Sequence, residues 1–149
     1  MNRSIKFFFF LHTLINSNNR FIRNFNFIFM IPYRFINLLY GATISPGTKF
    51  NGALILPHGL HGIFTSKNAV IGRNVTIFHQ VTIGSIMTEG SKKMGSPSIG
   101  DNVLIGVGAK ILGNVKVGDN VKIGANSVVM SDVPDNVTVV GIPAKIINN

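Results

Sequence analysis

The chain has 149 residues and a net charge of +9, and it is 46% hydrophobic, 13% charged and free of cysteine. Its length and apolar fraction suffice for one buried core, whereas the lack of cysteine excludes a disulfide scaffold, a thiolate nucleophile and a thiolate metal site. The charge is uneven: residues 1–60 hold Arg3, Lys6, Arg20, Arg23, Arg34 and Lys49 but no acidic residue, a pattern that points to an anionic partner.

Residues 1–41 read as a basic helical region rich in phenylalanine and asparagine. Phe7 to Phe10 and Leu11 follow Arg3 and Lys6 in the manner of a secretion signal, but His12 and the asparagines Asn16, Asn18 and Asn19 interrupt the run, and no small-residue cleavage site follows. The stretch from Phe25 to Tyr40 falls short of the about 20 apolar residues of a membrane span and carries Pro32 and Arg34. The pattern predicts one or two short helices, the second starting near Pro32, whose fixed φ suits a first helical turn. They would either cap the open end of the element that follows or lie on an anionic membrane surface. The expected location is the cytoplasm, with peripheral contact to the inner membrane face if the helices dock.

From about Ala42 to Asn149 the chain repeats every six residues. Ile71, Ile77 and Ile83 form one run, and Ile99, Ile105, Ile111, Val117, Ile123 and Val129 another. Val75, Val81, Val103, Ala109, Val115, Val121 and Ser127 stand four positions after such residues, and Ile44, Phe50 and Leu56 extend the spacing backwards with Thr48 and Leu54. A period of six fits short strands joined by tight turns that coil into a parallel β-helix, with the aliphatic and small positions inward. Two segments break the register, Pro57–Asn68 with His58 and His61, and Ser85–Pro97 with Glu89, Lys92 and Lys93. Insertions into a solenoid are extruded as loops near the working face. The repeat has no recognition helix and no clustered basic and aromatic pairs, so nucleic acid is not an expected partner. It also lacks the threonine columns of an ice-binding surface.

The segments IGRNVTIFHQVTIG (residues 71–84), IGDNVLIGVGAKILGNVKVGDNVKIGANSVV (99–129) and VPDNVTVVGIPAKII (133–147) resemble the hexapeptide-repeat acyltransferases, on the serine O-acetyltransferase branch that includes polysaccharide O-acetyltransferases. The resemblance implies a mainly β chain built as a left-handed parallel β-helix, a homotrimer with active sites shared between subunits, and acetyl-CoA as donor. The left hand comes from the resemblance alone, because the general crossover rule favours the right.

Hydroxyl attack on a thioester needs a general base and a donor for the developing oxyanion, and histidine titrates near neutrality. In the family the catalytic histidine sits in a short loop leading into a glycine and aliphatic pair, as in PHGLHGI (57–63), so His58 is the expected base and His61 its rival. His79 lies inside a regular hexad and is expected to be a solvated or subunit-packing residue; His12 has no context. The four histidines show no metal-ligand spacing, and no metal is expected.

The resemblance places coenzyme A along GVGAK, that is Gly106, Gly108, Ala109 and Lys110, with Gly84, Ser85 and Ala125 as further contacts and Lys145 as the partner of the 3′-phosphate. The expected acceptor contacts are Lys92, Lys93 and Ser96. Two departures from serine acetyltransferases matter. Pro57 stands where an aspartate orients the catalytic histidine, and Gly95 and Ser96 stand where arginine and histidine precede the proline. Both changes favour a saccharide acceptor, the hydroxyl of a surface-polysaccharide sugar, over free serine. The alternatives are serine O-acetylation and a non-catalytic β-helix scaffold.

Overall fold

The computed structural model describes residues 3–24 and 26–147, and in it the hexads wind into a left-handed parallel β-helix of three faces. The first face stacks β1 (Thr43–Ile44), β4 (Phe64–Thr65), β7 (Thr82–Gly84), β10 (Lys110–Leu112) and β13 (Val128–Val129). The second holds β2 (Lys49–Phe50), β5 (Val70–Ile71), β8 (Ser98–Ile99) and β11 (Lys116–Val117). The third holds β3 (Leu54–Ile55), β6 (Val75–Ile77), β9 (Leu104–Ile105), β12 (Lys122–Ile123) and β14 (Thr138–Gly141), closed by the antiparallel β15 (Ala144–Ile147). Register puts like on like: Ile77, Ile105 and Ile123 pair directly, as do Ile83, Ile111 and Val129. All six are buried, and the small corner positions Val75, Val81, Val103, Ala109, Val115, Val121 and Ser127 are buried with them.

The first break is shorter than the sequence indicates. Thr65 follows Leu56 by nine residues, yet it pairs with Ile44 and Ile83 in the first face, so the extruded segment ends before it and Lys67 and Asn68 belong to a regular turn. The missing signal is chemical. Thr65 occupies an inward aliphatic site, which its hydroxyl tolerates because Thr48 Oγ1 lies 2.6 Å away and the Ser45 amide donates to it at 3.3 Å.

The corner between the second and third faces is a polar ladder. Asn74, Asn102, Asn120 and Asn136 all adopt positive φ, a conformation asparagine accepts more readily than other non-glycine residues. Their amides chain from coil to coil at 3.0–3.3 Å. Beside them the carboxylates of Asp101, Asp119 and Asp135 accept from the backbone amides of Arg73, Asp101 and Asp119. The Asp101 carboxyl is held below its usual range by the Arg73 amide first and the Arg73 guanidinium second. Each rung needs the preceding position bare, since a Cβ on Gly118 would run into the Asp135 carboxylate.

Three helices close the amino-terminal end: α1 (Arg3–Ile15), α2 (Arg20–Asn24) and α3 (Asn26–Leu39). Pro32 lies inside α3 rather than at its start. The amide it lacks would have met the carbonyl of Ile28, so one helical bond is missing there, on a residue that is itself exposed. Phe8 and Tyr33 stack with ring centroids 4.5 Å apart, Phe9 packs edge-on against Phe50, and the Tyr33 hydroxyl donates to the Ile44 carbonyl at 3.1 Å. His12 is buried between Tyr33 and Phe50, and burial lowers its pKa. The helices therefore cap the first coil. None of the described helices is long and apolar enough to cross a membrane.

Candidate active site

One corner of the prism, where the third face turns into the first, carries His58, His61 and His79 together with Gly59, Gly62, Gly106, Gly108 and Gly124. In order along the axis they lie in the 57–62 loop, the turn at Phe78–Gln80, the turn at Gly106–Gly108 and the turn at Gly124–Asn126. Successive backbones are stitched together: the Gln80 amide donates to the His61 carbonyl at 2.9 Å, the Gly108 amide to His79 at 3.1 Å and the Asn126 amide to Val107 at 2.8 Å. Positive φ at Gly59 and Gly62 lets the extra residues of the first loop fold over the coil.

His58 and His61 both line an open pocket of about 640 Å³, together with Ile5, Tyr40, Leu56 and Pro57. Both side chains are exposed. The His61 ring packs edge-on against Tyr40, at 4.8 Å between centroids. His58 rests edge-on against Phe78 and lies over the ring of His79, with the two Nδ1 atoms 2.8 Å apart. His79, expected to be solvated or to pack between subunits, is half-buried within the single chain and is the direct partner of His58. Its place in a regular hexad hid this, because the contact crosses from one coil to the next and joins residues 21 apart.

Of the residues assigned to coenzyme A, Gly106, Gly108, Lys110 and Ala125 belong to this same corner. A Cβ on Gly106 would come within 2.7 Å of the Ala125 amide nitrogen, so the two turns approach as closely as backbones can. Lys110 is exposed, with Nζ 3.1 Å from the Gly108 carbonyl. Ala109 is different. Its side chain is fully buried in the core, so only its backbone can face a ligand there. Lys145 lies on β15, paired with Val140 at the far end of the third face, and the Gly141 amide docks this tail on the Ser127 hydroxyl at 3.1 Å.

Gly84, Ser85, Lys92, Lys93 and Ser96 lie elsewhere, at the corner between the first and second faces. There residues 85–97 form a small hairpin whose base is closed by reciprocal bonds between Ile86 and Gly95. Gly84 is buried. Lys93 is already engaged by Asp132 at 3.2 Å, which leaves Lys92 as the exposed cation of that loop. No three His, Asp or Glu side chains converge among the described residues.

The family described as bacterial transferase hexapeptide (six repeats) matches residues 96–131. The serine acetyltransferase of Staphylococcus epidermidis is 50% identical over 107 residues, which is 72% of this chain and 49% of that protein. Among solved structures, the serine acetyltransferase of Neisseria gonorrhoeae in complex with serine superposes with a TM-score of 0.77 at 35% identity, over 97% of this chain and 55% of that one. A serine acetyltransferase solved with CoA gives 0.77 at 34% identity, over 97% and 55%. The chain spans about half the length of the relatives it matches.

Proposed function

We propose that this chain, which belongs to the hexapeptide-repeat transferases and to their serine acetyltransferase-like branch, moves an acetyl group from acetyl-CoA to an acceptor hydroxyl with His58 as general base. The observation that carries the reading is an exposed imidazole whose Nδ1 is engaged, standing at the head of a corner of closely approaching glycine turns. The free Nε2 would take the hydroxyl proton as oxygen attacks the thioester carbon, and the tetrahedral oxyanion would collapse with loss of the CoA thiolate, which recovers that proton. The glycine corner lets a pantetheine arm lie against the backbone, and Lys110 and Lys145 supply charge for its phosphates. The names of the relatives and the solved serine complex support serine as acceptor, against the saccharide expected from sequence.

The saccharide reading keeps one specific observation. The 85–97 loop offers Gly95 and Ser96 before Pro97, and Lys93 is tied to Asp132, so Lys92 is the cation left there for the carboxylate of a free amino acid. A thiol probe reporting CoA release should show kcat/KM for free serine above that of nucleotide sugars and oligosaccharides by roughly 10-fold or more. A saccharide preferred over serine would reverse the assignment, and transfer to none of them would favour a scaffold.

The acceptor loop and His58 lie at different corners of one prism, so a site using both must form between copies. A homotrimer accounts for this and would also cover outward residues such as Ile55, Phe64 and Leu104, each at least 40% exposed in the single chain. Light scattering of dilute protein should return three times the chain mass of 16.2 kDa. Full activity in a persistent monomer would remove the shared site.

We further propose a cytoplasmic location with peripheral contact to an anionic membrane, and the contact, not the location, draws on the helices' outer surface. Phe7, Phe10, Phe27, Ile31 and Phe35 are exposed there beside the exposed Arg3, Lys6, Arg20, Arg23 and Arg34, with no acid before Glu89. The intact protein should sediment with phosphatidylserine vesicles at low salt and release towards ~1 M, where screening acts within about 3 Å. Equal binding to neutral vesicles, or none to either, would count against docking. Deleting residues 1–31 is unsuitable as a control, because it removes the Phe8 and Phe9 contacts that cap the coil.

A further inference from the structure

The oddest polar contact in the molecule is the one between the two imidazoles. Nitrogens 2.8 Å apart cannot both donate or both accept, so the His58–His79 contact holds a single hydrogen between two Nδ1 atoms. Two arrangements satisfy it. With the hydrogen on His58, its Nε2 is a free lone pair and His79 carries its own hydrogen on Nε2. With the hydrogen on His79, His58 must carry one on Nε2, where it would be useless as a base. The same contact therefore decides whether His58 can accept a proton from a hydroxyl.

Resting on the reading of His58 as base, we propose that His79 is a positioning residue that fixes His58 as the Nδ1–H tautomer and bears part of the charge when Nε2 is protonated. Several features hold His79 in this post. Its carbonyl is bonded to the Gly108 amide, the adjoining Phe78 ring meets His58 edge-on, and Gln80 ties the turn to the His61 carbonyl. The residue immediately before His58 cannot serve, since Pro57 has neither an acceptor side chain nor an amide hydrogen. The orienting group thus comes from the next coil. When Nε2 takes the acceptor's proton, the imidazolium keeps its Nδ1–H bond to a neutral His79. The hydrogen can shift onto His79 Nδ1, leaving the cation on that ring, and no bond beyond these N–H bonds is made or broken.

The test uses two substitutions that separate the acceptor from the ring. Asparagine can place Oδ1 where Nδ1 of His79 lies, so His79→Asn keeps an acceptor that cannot itself be protonated, whereas His79→Phe keeps a ring with no acceptor. Long-range proton–nitrogen spectra of the 15N-labelled full chain, above the ordinary histidine pH range, should show His58 as Nδ1–H in wild type and His79→Asn and as Nε2–H in His79→Phe. In steady state, His79→Phe should lower kcat by roughly 10–100-fold, as for other partners that orient a working histidine, with KM for acetyl-CoA unchanged. His79→Asn should recover to within about 5-fold. A wild-type His58 protonated on Nε2, or full kcat in His79→Phe, overturns the proposal. Wild-type protein with no acetyl transfer overturns the proposed function instead, and the spectra then decide the histidine pair by themselves.

Discussion

Replacing His58 with alanine is expected to lower turnover by roughly two to four orders of magnitude, the span of a general base's contribution, while acetyl-CoA affinity and thermal stability stay nearly constant. The side chain is exposed and its loop is held by backbone bonds, so truncation removes chemistry and little packing. His61→Ala is the internal control, because that imidazole lines the same pocket but leans on Tyr40 and has no imidazole partner. A larger loss from His61→Ala would exchange the two roles. Calorimetric titration with CoA separates binding from chemistry in both variants.

The fold was legible in the sequence wherever the inward residue is aliphatic. From Ile71 to Ile83 and from Ile99 to Val129 the six-residue spacing alone places each strand, since every inward position must match the one a coil below it. It fails at Thr65, where paired threonine hydroxyls replace apolar contact, and in the helical region the proline signal misplaces a helix start, since Pro32 lies inside α3. The polar corner ladder was present as a recurring Asn–Val pair at residues 74–75, 102–103, 120–121 and 136–137 but reads as loop composition until the left-handed backbone is seen.

The site divided the same way. Loop histidines announce themselves because they interrupt a repeat, and His58 and His61 do line one pocket. His79 interrupts nothing, and only the stacking of coils sets it against His58. Ala109 shows the converse. A motif match marks the segment, but the hexad position decides that its methyl group points into the core.

Ile105→Ala should be among the most damaging single changes to the fold, costing about 4–5 kcal/mol, the upper part of the range for buried large-to-small substitutions. The side chain is fully buried, with Ile77 on one side and Ile123 on the other in direct register. Backbone bonds set the coil spacing, and the coils cannot close over the gap without breaking them: the Thr76 amide meets Val103, Phe78 meets Ile105, and Gly106 meets Ile123. The cavity therefore persists, and neighbouring coils lose their contacts to it. The adjacent Leu104 points outward at 40% exposure, so Leu104→Ala should cost about 1 kcal/mol or less in the isolated chain. In an assembled trimer its effect should instead depend on protein concentration, because any area it loses lies between copies. Urea unfolding followed by circular dichroism at two protein concentrations measures both variants. Equal losses at the two positions, independent of concentration, would mean that the alternation of inward and outward residues does not govern stability here.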